Sequence, residues 1–225
     1  MKTILQYTLV IILIISASCG KKGNKIGINE TAVSNPDDNR TIASHARKYG
    51  IKSGIITFSV ETNLVPEKQI KKVYFDDFGA RETSEKYRND KLVEKLINKA
   101  DGYVYLLAVD RNSGIRSKHA MATGTEMKFD LSDGSWSDDM KKQYNFARFP
   151  NENICGKDCE IFTTEYEKMK ARYAGWNGIL LMIETSSPVG NTNMTTKSVA
   201  TRIEENAVIP ESVWEVPAGI SIIEK

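Results

Sequence analysis

Beyond residue 50 the chain alternates apolar and polar positions with a period of two. Ile51, Ile55 and the run Ile56-Thr57-Phe58-Ser59-Val60 predict a first strand. Residues 69–75, the turn-forming Asp76-Asp77-Phe78-Gly79 and residues 80–83 read as a β-hairpin. A second hairpin is expected over 102–121, turning at Arg111-Asn112-Ser113-Gly114. Further strands are expected near 160–166, 178–184, 195–206 and 218–223. Two stretches follow the helical period instead. Residues 90–100 place Leu92, Val93, Leu96 and Ile97 on one face behind Asp90, and 135–149 place Trp136, Met140, Tyr144 and Ala147 in a stripe behind Ser135 or Ser137. Together these elements predict an α+β, mainly β fold. Its form would be a curved antiparallel sheet or incomplete β-barrel, with short helices packed at the concave side.

The first residues follow another logic. Lys2 precedes the apolar run Leu9–Ile15, which is too short to span a bilayer and reads as the core of a secretory signal. Small residues and a cysteine follow, in Ile15-Ser16-Ala17-Ser18-Cys19-Gly20, and this stretch resembles a bacterial lipoprotein processing site. The resemblance implies a signal peptide over 1–18, diacylglycerol on the Cys19 thiol and an acyl chain such as palmitate on its new amine. Several acyl chains together anchor stably. Gly20, where an aspartate often marks retention at the inner membrane, favours the outer membrane facing the periplasm. Residues 19–40, rich in Gly, Asn, Lys and Asp, read as a lipidated flexible tether, and 41–225 as a single β-rich domain.

Composition narrows the functional classes. With 31 Lys+Arg against 29 Asp+Glu, the net charge of +2 provides no broad field for recruiting nucleic acid. Histidine is limited to His45 and His119, neither with acidic partners at metal-ligand spacing, so no metal or cofactor is expected. Glycine-rich phosphate loops and nucleophile elbows do not occur, and nothing points to an enzyme. Cys155 and Cys159 remain as an even pair in an oxidising compartment, which favours a disulfide, with free thiols and a redox-active pair as alternatives. Aromatic rings beside glycines at strand starts either pack a core or line a cavity. By strand phase the cavity candidates are Phe58, Tyr74, Tyr103, Tyr105, Trp176 and Trp214.

Four phrases carry a wider resemblance: Tyr49-Gly50-Ile51-Lys52-Ser53-Gly54-Ile55-Ile56, Tyr74-Phe75-Asp76-Asp77-Phe78-Gly79-Ala80, Gly156-Lys157-Asp158-Cys159-Glu160-Ile161-Phe162, and Ile209-Pro210-Glu211-Ser212-Val213-Trp214-Glu215-Val216-Pro217-Ala218-Gly219. In that order they resemble an uncharacterised group of periplasmic and outer-membrane lipoproteins of Gram-negative bacteria. That group is similar in strand order to the lipoprotein-localisation (Lol) carriers and receptors. The resemblance implies an incomplete barrel holding a hydrophobic cavity for acyl chains. The expected function is thus a non-enzymatic, membrane-anchored periplasmic lipoprotein that binds a lipid or other apolar ligand, with a role in lipid or lipoprotein trafficking. The alternative is an envelope scaffold with a filled core and a protein partner.

Overall fold

A computed structural model describes residues 47–99, 102–118 and 137–224. The signal, the tether, Cys19, His45 and His119 lie outside these residues. Twelve strands form one curved, unclosed sheet. They are β1 (Gly54–Thr62), β2 (Val65–Asp76), β3 (Arg81–Arg88), β4 (Lys91–Asn98), β5 (Val104–Ala108), β6 (Ser113–Ser117), β7 (Ala147–Ile154), β8 (Lys157–Tyr166), β9 (Met169–Trp176), β10 (Ile179–Val189), β11 (Thr192–Glu205) and β12 (Ser221–Glu224). Their spatial order is β12-β6-β5-β4-β3-β2-β1-β11-β10-β9-β8-β7. Every pairing is antiparallel except β12 with β6. Among the described residues, the long connection from β6 to β7 includes a short helix, α1 (Asp138–Gln143), capped by the Ser137 hydroxyl, which accepts from the Met140 N–H.

The expected hairpin over 69–83 forms as β2–β3, and the described part of the one expected over 102–121 forms as β5–β6, residues 119–121 lying outside the described residues. The helix expected over 90–100 does not form. Residues 91–98 are β4 instead, because Asn89 and Asp90 both take left-handed φ (49° and 60°) and close a tight hairpin between Arg88 and Lys91. Its apolar residues serve both faces of a covered strand, with Val93, Leu96 and Ile97 all buried. The second expected helix stops early: Asn145 takes φ 43°, and β7 begins at Ala147 with Pro150 inside it. β9 has no counterpart among the expected strands. The hairpin turn that creates it, Asn177-Gly178 (φ 50° and 75°), lies between Trp176 and Ile179.

The main core gathers Ile56, Phe58, Val73, Phe75, Ile161 and Leu181, with Tyr49 packed edge-on against Phe75 at 4.7 Å. A glycine at position 54 is required here: a Cβ would lie 2.7 Å from Phe75 Cζ. The segment 47–53 docks across one end of the sheet. Lys48 and Tyr49 donate backbone N–H groups to the Phe78 carbonyl, and Gly50 donates to that of Asn177. Gly178 makes room for it, since a Cβ there would meet the Lys48 carbonyl oxygen at 2.6 Å. A second cluster stacks Phe162 on Tyr173 (4.7 Å) and Phe146 on Phe162 (5.6 Å).

Candidate ligand cleft and buried charge clusters

A cleft of about 770 Å³ crosses β1, β11, β10, β9 and β8 near their turn ends. Strand register builds it. Thr62, Thr196, Thr185, Ala171 and Thr164 stand in one row, each opposite the next. Register partners share a face, so this row offers threonine methyls and one alanine as a nearly continuous surface. The adjacent row, one residue along each strand and therefore on the opposite face, runs Glu61, Lys197, Glu184, Arg172 and Thr163. Glu184 receives Lys197 at 2.7 Å and Arg172 at 3.7 Å, and Arg172 also reaches Glu152 at 2.5 Å. On the far side Lys170 faces Glu165 at 3.7 Å.

The lining therefore holds three bases (Lys170, Arg172, Lys197) and three acids (Glu61, Glu165, Glu184), which sum to zero. A neutral lining with its bases paired gives no preference for an anion. Asn63 fixes the rim, donating to the Asn193 carbonyl (2.7 Å) and accepting from the Thr195 N–H (2.9 Å). Asn145 closes the other side, held by a bond from the Glu165 N–H to the Tyr144 carbonyl (2.7 Å). Ala171 joins the cleft to the second aromatic cluster. There burial pushes the Tyr173 hydroxyl above its ordinary pKa, against a hydrogen bond with Thr164 that lowers it.

None of the six aromatic cavity candidates lines this cleft. Phe58 is part of the main core, and Trp176 packs against it with Lys157 over its ring at 4.6 Å. Trp214 is buried beneath Arg81 (4.4 Å). Tyr103 and Tyr105 lie under Arg116 at 3.8 and 5.8 Å. Tyr74 donates its hydroxyl to Glu85. Rings beside hairpin ends are thus engaged by nearby cations and carboxylates.

The expected disulfide is not made. Cys155 is an exposed free thiol at the left-handed first position of the β7–β8 turn (φ 53°), and Cys159 is a fully buried one. The two-residue turn pairs Ile154 with Lys157, which sets Cys159 opposite Glu152 and turns it into the core. Burial pushes the Cys159 thiol pKa upward, so it behaves as a small apolar side chain.

Two buried carboxylates organise β3, and the strand pattern gives no hint of them. Glu82 is 3% exposed and accepts from Lys48 Nζ (2.6 Å) and the Tyr49 hydroxyl (2.5 Å). Glu85 accepts from the Tyr87 (2.6 Å) and Tyr74 (3.2 Å) hydroxyls and faces buried Lys95 at 3.4 Å. Burial first, then the Glu85 charge, pushes Tyr74 up to about 12, and Tyr87 is pushed higher still. A folded-state pKa above the unfolded value of 10 contributes stability that is complete below pH 10 and lost as pH rises through the folded value. Unfolding midpoints in urea are therefore expected to fall between pH 10 and 12, and Tyr74→Phe should flatten that slope. An unchanged slope in the variant would remove Tyr74 from the account.

Among the described residues no cluster of His, Cys, Asp and Glu is placed to hold a metal ion. No helix among them is long and apolar enough to cross a membrane.

No protein-family model matches the sequence, and no curated protein matches it significantly. Solved structures do match. MucB aligns at TM-score 0.51 and 12% identity over 79% of this chain, which spans 61% of MucB's length. An uncharacterised conserved protein from Thermus thermophilus aligns at TM-score 0.51 and 8% identity, over 80% of this chain and 94% of that one. The complex of Pseudomonas aeruginosa MucA and MucB aligns at TM-score 0.48 and 12% identity, over 76% of this chain and 58% of that one. The likeness is one of fold.

Proposed function

We propose that this chain is a non-enzymatic binding protein of the cell envelope. Its mature form, lipidated at Cys19, is held at the outer membrane facing the periplasm and takes an uncharged apolar or amphiphilic ligand in the cleft across β1 and β8–β11. The single observation that carries this reading is the cleft's composition. Strand register gives it a row of threonine methyls with Ala171 on one face, and its charged residues, which alternation sets on the other face, neutralise one another. Such a lining suits a chain of methylenes with a neutral polar end. Burying apolar area at about 25 cal/mol per Å² supplies the affinity.

The test is uptake of the neutral apolar fluorophore N-phenylnaphthylamine by the full chain. Saturable fluorescence enhancement is expected, and Thr185→Trp, at the centre of the threonine row, should weaken it by roughly tenfold or more through lost volume. The reading fails if the wild-type chain takes up no probe, or if Thr185→Trp binds it equally well.

A protein partner is the second reading. Leu64 in the β1–β2 turn and Tyr166 and Met169 at the β8–β9 turn are exposed large apolar residues at the cleft's end of the sheet. MucB, which shares the fold, has been solved in complex with MucA. Specific crosslinking of one envelope protein through this end, with no probe uptake, would favour that reading.

A further inference from the structure

On β2 and β3, away from the cleft, four donor side chains share one face. Register sets Lys71 directly opposite Lys86 and Gln69 directly opposite Arg88, and alternation puts both pairs on one face. Like charges directly opposite each other destabilise a sheet. The neighbouring cations have carboxylates: Lys48 has Glu82 (2.6 Å), Lys95 has Glu85 (3.4 Å), Arg88 has Glu67 (3.3 Å), and Lys86 has a loose contact with Glu94 (4.0 Å). Lys71 has neither ion pair nor hydrogen bond among the described residues. Its closest recorded contact is the Phe58 ring, 6.0 Å from Nζ. Glu82, the acid near it, is already engaged by Lys48 and Tyr49.

Gln69, opposite Arg88, is 3% exposed. The Arg88 Nε–H is buried without a well-aligned acceptor, its ion pair with Glu67 notwithstanding. Buried donors without acceptors are costly and rare in folded proteins. An oxyanion would satisfy the Arg88 Nε–H and give Lys71 a counter-ion at once.

We propose that Lys71 and Lys86, with Gln69 and Arg88 beside them, form a binding site for an anionic group of the carboxylate or phosphate type. The inference is independent of the cleft, which is charge-neutral and lies on other strands. Burial, with Lys48 and Lys86 adding to it and Glu82 opposing, pushes Lys71 down to about 8, so the site is poised to gain from a negative partner.

Thermal unfolding of the full chain in mild detergent tests it, with inorganic phosphate and sodium octanoate titrated separately. The midpoint is expected to rise saturably with at least one of the two anions. Lys71→Met and Lys71→Gln should each lose that ligand-dependent rise, and Lys86→Met should weaken apparent affinity roughly tenfold, the value of a charge-assisted hydrogen bond. Lys72→Met, one residue along β2 and on the opposite face, should retain it, as should the cleft variant Thr185→Trp. A response to phosphate alone identifies a phosphate-type ligand, and a response to octanoate alone a fatty carboxylate. If neither anion stabilises the wild type more than both Lys71 variants, or if Lys72→Met abolishes the effect as fully as they do, the site does not exist.

Discussion

Glu82→Ala is expected to destabilise the fold by about 3 kcal/mol, because it leaves a half-buried ammonium and a buried hydroxyl without their acceptor. Lys48 and Tyr49 both donate to this carboxylate, and together they fasten the segment 47–53 to the sheet. The loss should therefore appear as local release of that segment before global unfolding. Hydrogen exchange would show the Tyr49 and Gly50 amides exchanging faster, with the β9–β10 amides protected as before. Glu82→Gln keeps an acceptor for Tyr49 and should cost about half as much. Equal stability of Glu82→Ala and the wild type in urea would mean that the buried network contributes nothing net.

The other large effect is expected at Phe75→Ala, at about 3–5 kcal/mol, the usual range for removing a fully buried ring. Phe75 is the register partner of Glu82, and Tyr49 touches both, packing on one and bonding the other. The two substitutions should therefore not add. Removing Phe75 frees Tyr49 to shift, so part of the Glu82 effect is already lost, with a coupling on the order of 1 kcal/mol in a double-mutant cycle. Additivity within about 0.3 kcal/mol would show that the ring and the carboxylate act separately.

The fold class was legible because exposed or half-buried strands keep their alternation. The Ile56–Val60 run and the Asp77–Gly79 turn declare β1, β2 and β3 directly. β4 is obscured by its burial on two sides: Leu92-Val93 and Leu96-Ile97 imitate a helical stripe when a strand is covered on both faces. The left-handed Asn89-Asp90 turn is the available signal against a helix. Asn177-Gly178 is similarly available for β9 and is overshadowed by the aromatic residues around it.

The candidate site was far less legible. Its threonine row draws one residue from each of five strands, so it exists only once the register of β1 and β8–β11 is set. The six aromatic candidates rest on phase, and phase cannot show that Arg81, Arg116 and Lys157 come to rest over Trp214, Tyr103 and Trp176. Glu82 and Lys71 read as surface charges in sequence. Only the docking of 47–53 and the β2–β3 pairing make one a buried anchor and the other a cation without a counter-ion.

The most direct test of the binding account is native mass spectrometry of the full chain, released from the membrane in mild detergent and desolvated gently. The account predicts an adduct of lipid or other apolar mass, beyond the covalent acylation proposed at Cys19, that leaves on denaturation and is absent from Thr185→Trp. A single mass for the acylated polypeptide, unchanged after incubation with added lipid, would contradict it.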